Sequence, residues 1–391
     1  MSTTPLAATQ LAVGARLAVR RLQLTDFRNY KTLRLTPEAS SVVLTGPNGA
    51  GKTNLLEALS LLVPGRGLRR AKIAALARQG AAERVWAVAV GVQTPDGVSE
   101  IGIGRDPKAV EGGRDRRLLR INGRDPKNQA ALGDVLHATW LTPEMDRLFL
   151  DGTSARRRFL DRLSFGFDPT HATRLADYTR AMRERSRLLL EGVTDPGWLD
   201  ALEETMAETG VAIAETRRIY VRHLGAAVTQ ATGPFPGVDL TVNGLLEDCL
   251  ATDAAPTVTE HYRTMLAALR GRDADVGLAT EGPHRSDLVV RHLTKGMAAS
   301  NCSTGEQKAL LIAILLADAR LQCTVRKTPP LLLLDEVAAH LDATRRQALF
   351  EAIEALGAQA WMTGTEASLF QPLAGRAQFF RVLDGAAVPD A

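Results

Sequence analysis

The stretch that decides the fold runs Gly46-Pro47-Asn48-Gly49-Ala50-Gly51-Lys52-Thr53. A short β-branched run, Val42 to Thr45, precedes it, and a leucine-rich segment with helical spacing, residues 53–63, follows it. Glycines in such a loop let backbone N–H groups turn inward around phosphate oxygens, and the start of the helix adds partial positive charge. We therefore predict that residues 46–53 bind ATP. Lys52 would reach the β- and γ-phosphates, and the Thr53 hydroxyl would bind Mg²⁺.

A second pattern, Leu331-Leu332-Leu333-Leu334-Asp335-Glu336, predicts a strand that is buried on both faces and ends in two carboxylates. Asp335 would hold Mg²⁺, directly or through water, and Glu336 would polarise the attacking water. The predicted catalytic residues are therefore Lys52, Asp335 and Glu336, and the predicted metal ligands are Thr53 and Asp335. The pattern alone would suit the end of any buried strand, so its weight comes from its occurrence with the glycine-rich loop.

Two shorter motifs each have a structural and a functional interpretation. The stretch Ser303-Thr304-Gly305-Glu306-Gln307-Lys308 leads into an apolar helix shortly before the Asp335 strand. It predicts either an ordinary capping box or an anion site at the start of that helix. Ala339-His340-Leu341-Asp342 follows Glu336 closely, and Asp342 alone would suit the cap of the next helix.

The composition is that of a globular protein with a small basic excess. Among the 391 residues, Lys and Arg number 48 and Asp and Glu 44, which gives a formal charge of +4. The excess is concentrated in residues 66–127 and 156–187, and concentrated basic surface is typical of nucleic-acid binders, with a solvated set of arginines as the alternative. No run approaches the ~18 apolar residues of a membrane span. The three cysteines lack metal-ligand spacing, so we expect a cytoplasmic protein without a membrane partner.

The order of the patterns predicts an α/β head that is interrupted by helices. The predicted division is a disordered tail, a first half of the head with the glycine-rich loop, a helical arm domain, and a second half of the head: residues 1–16, 17–145, 146–275 and 276–385. Two long helical patterns, residues 170–190 and 198–228, are separated by the turn Asp195-Pro196-Gly197. We therefore predict mixed sheets with helices, split by a helical second domain that contains a short antiparallel hairpin.

In this order, the four motifs resemble the ATP-binding-cassette (ABC) superfamily of P-loop ATPases. The resemblance implies that Ser303 and Gly305 bind the γ-phosphate of an ATP held by a second subunit, and that Asp342 communicates between the two sites of a dimer. Several further segments are similar to the RecF family of bacterial DNA-repair proteins, among the SMC-like ATPases: Leu24–Tyr30, Gly65–Arg70, Thr142-Pro143-Glu144, Arg156–Asp161 and Gly282–Asp287.

Resemblance to that family implies a homodimer that forms head to tail on ATP, weak DNA-stimulated ATP hydrolysis, and binding to single-stranded or gapped DNA. It further implies roles in recombinational repair, replication and the SOS response, with promotion of recombinase loading by RecR- and RecO-type partners. Three other interpretations stay open. A structural chromosome-organising ATPase is disfavoured by the short hairpin, and a transporter ATPase subunit by the basic stretches; the third is a nucleotide sensor that does not hydrolyse ATP.

The sequence departs from the superfamily pattern at several positions. Thr304 and Glu306 stand where small or glutamine residues are more usual, and no glutamine occurs near Thr139-Trp140, where a loop that often supplies one to Mg²⁺ is expected. The usual switch histidine is replaced by Met362-Thr363-Gly364-Thr365, so Thr363 or Thr365 would have to substitute. A structural and a ligand-binding interpretation both stay open for four further residues: Arg28, Arg69, His284 and Arg285.

Overall fold

The computed structural model describes residues 17–81, 85–109, 116–192, 195–229, 233–339 and 341–390, so the predicted tail and His340 lie outside the described residues. In chain order the strands are β1 (Ala18–Phe27), β2 (Tyr30–Leu35), β3 (Ser41–Thr45), β4 (Ala87–Thr94), β5 (Gly97–Arg105), β6 (Arg117–Ile121), β7 (Ala138–Leu141), β8 (Val238–Asn243), β9 (Asp287–His292), β10 (Met297–Ala298), β11 (Leu331–Leu334), β12 (Ala360–Gly364), β13 (Ala377–Leu383) and β14 (Ala386–Pro389). The helices are α1 (Lys52–Ser60), α2 (Leu132–Val135), α3 (Thr153–Phe167), α4 (His171–Leu190), α5 (Pro196–Thr229), α6 (Leu245–Thr252), α7 (Ala255–Ala268), α8 (Arg270–Val276), α9 (Thr304–Arg326) and α10 (Ala343–Leu356).

A mainly parallel sheet forms the centre of the head, in the strand order β14-β13-β3-β12-β11-β7. Only β14 pairs antiparallel within it. Strands β3, β11 and β12 are buried along their whole length because both faces of the sheet are covered. Leu332 and Leu334 belong to the core that includes α9 and α10, whereas Leu331 and Leu333 belong to the core that includes α1 and the neighbouring sheet. The continuous leucine run of β11 follows from this two-sided burial.

The central sheet combines strands from both ends of the chain. Strands β3 and β7 come before the helical insertion, and β11, β12 and β13 come after it. Because these strands are parallel neighbours, their carboxyl ends meet at one edge: Leu334 of β11 pairs with Met362 of β12, and Gly364 of β12 pairs with Thr45 of β3. The glycine-rich loop after β3 and the two carboxylates after β11 therefore lie at the same edge of the sheet.

Two antiparallel sheets complete the β-structure. One has the strand order β2-β1-β4-β5-β6 and shares a core with α1. The other, β10-β9-β8, is a feature that the sequence patterns did not predict. Its strands β8 and β9 pair although they lie on either side of the predicted domain limit at residues 275 and 276. The domain limits themselves stay a prediction.

The middle of the chain forms the predicted helical hairpin, with α4 packed against α5. Helix α5 begins at Pro196, inside the predicted turn, because proline is well tolerated in the first turn of a helix. Its 34 residues span about 51 Å at 1.5 Å per residue. A separate core of aromatic and aliphatic side chains lies between α4, α5, α6 and α7; it includes Tyr178, Met206 and Tyr262. No helix in the described ranges combines the length and apolar character that a membrane span requires.

Candidate nucleotide-binding site

The glycine-rich loop joins β3 to α1 in a conformation that suits glycine. Gly46 and Gly51 have φ angles of 144° and 113°, in the region that L-residues rarely adopt. A Cβ atom at Gly46 would lie 2.3 Å from the Val382 carbonyl oxygen, and one at Gly51 would lie 2.5 Å from the Asn29 side chain. The loop is therefore confined between β13 and the turn of the β1–β2 hairpin. No side chain caps α1, whose first turn faces this loop, as in helix-start sites that bind phosphate.

The Lys52 side chain lies between the loop and the end of β11. Its ammonium group donates hydrogen bonds to the Gly46 and Pro47 carbonyl oxygens, at 2.7 and 3.1 Å. It also lies 3.7 Å from Glu336 Oε1. Lys52 is 5% exposed. A buried ammonium group with an acidic neighbour is thus positioned beside the phosphate-binding loop.

Asp335 connects the loop to the end of the leucine strand. Its Oδ1 atom accepts hydrogen bonds from the hydroxyls of Thr53, at 3.0 Å, and Thr363, at 2.7 Å. The carboxylate is nearly buried. A threonine hydroxyl beside a carboxylate is a hard oxygen donor set, and Mg²⁺ is commonly bound by one or two such protein groups together with substrate phosphates. The residues present therefore fit the predicted Mg²⁺ ion.

Glu336 is held in an unusual backbone conformation. Its φ angle is 49°, which is uncommon for a non-glycine residue. The Glu336 N–H donates to Thr363 Oγ1 at 2.9 Å, and the Lys308 ammonium donates to the Glu336 and Ala339 carbonyl oxygens at 3.4 and 2.7 Å. Hydrogen bonds from two elements thus maintain a conformation that would otherwise be strained. They direct the half-buried Glu336 carboxylate towards Lys52.

Thr363, one of the two threonines considered for the switch position, is the one at the site. It is fully buried and bridges Asp335 and the Glu336 backbone through a single hydroxyl. Thr365 is exposed. In the sequence, both threonines could substitute for the switch histidine, and only the register of β12 beside β11 distinguishes them.

The loop that was expected near Thr139-Trp140 lies just after these two residues. Thr139 and Trp140 lie inside β7 and are buried. The strand ends at Leu141, whose carbonyl oxygen accepts the Asp335 N–H at 2.9 Å. The loop beside Asp335 therefore starts at Thr142, directly after β7.

The arginines near the loop form structural ion pairs. Arg28 binds the buried Glu57 carboxylate with Nε and Nη2, at 2.7 and 2.6 Å. Arg69 contacts Asn54 at 2.7 Å and Glu57 at 3.4 Å. Both therefore brace α1, which starts at the glycine-rich loop, and their structural interpretation holds.

Two neighbouring side chains support the loop and were missed in the sequence. The Asn29 amide donates to the Ala50 carbonyl oxygen at 2.9 Å, and the Tyr30 hydroxyl donates to Gly51 at 3.0 Å. Their position in the segment Leu24–Tyr30, which resembles the RecF family, could have identified them. Asn29 also lines an open cavity of about 380 Å³ together with residues 47–50, Asp384 and Gly385.

Ser303 begins α9 with the predicted capping box. The Glu306 N–H donates to Ser303 Oγ at 3.4 Å, and the Glu306 carboxylate accepts the Ser303 N–H at 3.0 Å. The neighbouring Lys295 ammonium, together with the Ser303 bonds, lowers the pKa of Glu306 to about 2. Among the described residues, no hydrogen bond or ion pair joins Ser303 or Gly305 to the glycine-rich loop. The fold therefore brings Lys52, Thr53, Asp335 and Glu336 together, and of the signature stretch it is Lys308 that contacts this group, through the Glu336 carbonyl oxygen.

Two other ambiguous positions have structural contacts. Asp342 caps α10 by accepting the Arg345 N–H at 2.8 Å. His284 bonds the Tyr178 hydroxyl at 2.8 Å and the Ala279 carbonyl oxygen at 2.9 Å, and burial lowers its pKa. His284 is therefore a packed residue, whereas the adjacent Arg285 is exposed.

Comparison with known proteins assigns the family. Residues 18–382 match the family model described as the RecF/RecN/SMC N terminal domain. The DNA replication and repair protein RecF of Mesorhizobium japonicum is 50% identical over 96% of this chain and 98% of its own length. The RecF protein of Allorhizobium ampelinum is also 50% identical, over 94% of this chain and 97% of its own. The chain belongs to the RecF family.

Solved structures of similar fold agree with that assignment. The recombination mediator protein RecF, in a structure with ATP, superposes with a TM-score of 0.83 over 97% of this chain and 99% of its own, at 22% identity. An Smc head domain from Pyrococcus furiosus superposes with a TM-score of 0.53 over 96% of both chains, at 15% identity. These neighbours confirm the predicted fold class, an ABC-type ATPase head with a helical insertion.

Proposed function

We propose that this RecF-family chain binds Mg-ATP in the site formed by the glycine-rich loop and the end of β11. The observation that supports this most directly is the hydrogen bond from Thr53 to Asp335, because it joins the two predicted magnesium ligands across a sheet assembled from both ends of the chain. Lys52 lies within reach of the same site. The nucleoside end of ATP would lie in the cavity beside Asn29.

ATP hydrolysis follows from the position of Glu336. Its carboxylate is the acceptor next to Lys52, and its backbone is fixed by Thr363 and Lys308. A carboxylate fixed in this way would orient the attacking water and accept its proton, while Mg²⁺ would neutralise developing phosphate charge. We propose that this ATPase is weak and stimulated by DNA.

The signature motif supports a dimer in which each copy completes the other's site. Ser303 is exposed at the start of α9 and has its described contacts within its own segment. A serine hydroxyl and a helix start are good donors for a phosphate, and the γ-phosphate held by a second copy would supply that anion. Two ATP molecules would then hold two heads together, and ATP would favour the dimer by its higher affinity for that state.

Family membership extends the proposal to DNA. We propose that the ATP-bound dimer acts in the cytoplasm in recombinational repair and the SOS response, binds single-stranded or gapped DNA, and promotes recombinase loading. The RecF–ATP structure described above is assigned to a RecFOR pathway, which supports RecO- and RecR-type proteins as partners. The hairpin is too short to bridge distant DNA segments, which disfavours a chromosome-organising role.

Placing an arginine at Ser303 should prevent ATP-dependent dimerisation. The Ser303→Arg side chain would occupy the space of the partner's γ-phosphate, while the variant's own glycine-rich loop would still bind ATP. Thr324→Arg is the matched control, because it adds the same charge to an exposed position at the far end of α9. Sedimentation with ATP and with ADP should show dimers only with ATP, for wild type and Thr324→Arg alone. Normal dimerisation of Ser303→Arg would refute the shared site, and a wild type that is monomeric with both nucleotides would refute ATP-driven dimerisation.

Removing the Thr363 hydroxyl should slow turnover. Thr363→Val keeps the side-chain shape but leaves the part-buried Glu336 N–H without its acceptor, at a cost of about 1–3 kcal/mol in stability. Without this bond the Glu336 carboxylate is less well fixed beside the nucleotide, so we also expect turnover at saturating ATP to fall about tenfold, which corresponds to about 1.4 kcal/mol of lost transition-state stabilisation. Thr363→Ser retains the hydroxyl and should remain close to wild type. Equal rates for wild type and Thr363→Val would exclude the positioning role.

A further inference from the structure

Most arginines of the basic stretch 156–187 already have partners within the protein. Several have acidic partners among the described residues: Arg156, Arg174, Arg180, Arg185 and Arg187. Arg162 is stacked over the Trp140 ring at 4.7 Å. By contrast, Arg158 and Arg183 are exposed and form no ion pair within the part of the chain that the structure describes. Within residues 156–187, the expected concentration of basic surface therefore narrows to a few unpaired side chains.

Arg158 faces a cavity of about 460 Å³ between α3 and the loop of residues 64–70. Arg66 and Arg70 line the same cavity from the head side. Partial burial, with repulsion from Arg158 and then Arg66, lowers the pKa of Arg70. The three guanidinium groups therefore share one electrostatic environment. Among the described residues, none of the three has an ion-pair or hydrogen-bond partner.

Acidic side chains also line this cavity, and they do not neutralise the three arginines. Asp161 already binds Arg217 at 2.8 Å and His171 at 2.9 Å. Glu144 and Asp151 are exposed, and within the described ranges neither forms an ion pair with the arginines of the cavity. An anion entering between the arginines would satisfy donors that the protein itself leaves open.

A second cavity, of about 210 Å³, lies beside the first, and Arg158 lines both. Arg157 and His284 line the second cavity, and the exposed Arg285 is close enough to Arg157 to contribute to lowering its pKa, after burial and Arg217. Three segments distant in sequence thus converge here: residues 65–70, 156–161 and 282–287. None of the three segments contributes to the nucleotide site described above, yet all three are among the segments that resemble the RecF family.

We propose that these two neighbouring cavities form a groove that binds the phosphate backbone of DNA, with Arg66, Arg70 and Arg158 as the phosphate contacts. Guanidinium groups bind phosphate oxygens in pairs, and a row of them follows successive phosphates. The head supplies Arg66 and Arg70 and α3 supplies Arg158, so the bound strand would cross from the head to the helical arm. This inference rests on the proposed function, because it locates the DNA that the function requires.

The test compares two exposed, unpaired arginines that differ in location. Arg158→Gln removes a charge inside the groove, and Arg183→Gln removes one outside it. The probe is a fluorescently labelled duplex with a single-stranded gap, titrated in the presence of ATP over a salt series. Each phosphate contact contributes about 0.9 to the slope of log K against log salt. We therefore expect the slope to decrease in magnitude by about 1 for Arg158→Gln and by about 3 for the triple variant Arg66→Gln, Arg70→Gln, Arg158→Gln. Arg183→Gln should leave it unchanged.

The possible outcomes distinguish a failure of the groove assignment from a failure of the proposed function. If wild type binds the probe and the triple variant binds with the same affinity and slope, the groove assignment is wrong and DNA binding stands. If wild type does not bind the probe, both proposals fail. If the triple variant binds DNA normally but no longer dimerises with ATP, the arginines serve the partner's nucleotide, which also overturns the groove. All three residues are exposed, so unchanged thermal unfolding is expected for every variant.

Discussion

Replacing Arg185 with methionine should destabilise the folded chain by about 3–5 kcal/mol, the usual cost of breaking a buried ion pair from one side. Arg185 is fully buried. Its guanidinium group donates to Glu203 at 2.8 Å, to Asp273 at 2.6 Å and to the Leu266 carbonyl oxygen at 2.7 Å. These contacts connect α4 to α5, α7 and α8. The variant would leave two carboxylates in the arm core without this partner.

The remaining partners decide which carboxylate causes most of the loss. Glu203 keeps its ion pair with Arg270. Among the described residues, Asp273 keeps only uncharged donors to its carboxylate, the N–H and hydroxyl of Thr280, at 2.9 and 2.7 Å. The uncompensated charge is therefore concentrated on Asp273. Adding Asp273→Asn to the Arg185→Met variant should recover part of the lost stability, because it removes that charge.

Arg187 provides the matched control, two residues along the same helix. It pairs with Glu184 and Glu191 on the exposed surface, where solvent screening leaves ion pairs with little effect on stability. Urea denaturation of wild type, Arg185→Met and Arg187→Met should therefore show a large shift in midpoint only for Arg185→Met. Equal midpoints for the two variants would mean that the buried network does not stabilise the arm.

The Arg185 network also shows what the sequence could not reveal. The nucleotide loop and the leucine strand were predictable because each is a local pattern: glycines between a strand and a helix, and an apolar run followed by two acids. The partners of Arg185 lie 18 and 88 residues away in the chain. No local pattern assigns such pairs. The arginines of residues 156–187 therefore looked like a basic surface, although most of them are held inside the arm or in surface pairs.

The candidate site has the same division between local and long-range information. Lys52, Thr53, Asp335 and Glu336 were identified from their own motifs. The role of Thr363 depends on β12 lying beside β11, and the start of the loop at Thr142 depends on where β7 ends. Both are consequences of strand register, which tertiary packing sets. The third sheet was missed because β8 and β9 pair although helices separate them in the chain, so no local pattern predicts their pairing.

Replacing Glu336 with glutamine should lower ATP turnover by about 10²–10⁴-fold, the usual contribution of a general base. Glutamine has nearly the same size and still forms hydrogen bonds, but its amide cannot accept the proton of the attacking water. The backbone bonds to Thr363 and Lys308 do not involve the side chain, so the loop should keep its conformation. ATP binding should therefore persist, and the ATP-bound dimer should last longer than that of wild type.

Asp335→Asn gives the contrast that separates chemistry from binding. Asp335 contacts Thr53 and is the predicted magnesium ligand, so its amide variant should lose affinity for Mg-ATP as well as turnover. The measurements are phosphate release at saturating Mg-ATP, nucleotide affinity by calorimetry, and dimer lifetime after removal of free ATP. Absence of turnover in wild type, with nucleotide binding intact, would favour a nucleotide sensor over an ATPase, and unchanged turnover in Glu336→Gln would mean that another group activates the water. A Glu336→Gln variant that loses nucleotide affinity as Asp335→Asn does would mean that Glu336 acts in binding, and water activation would have to be assigned to another group.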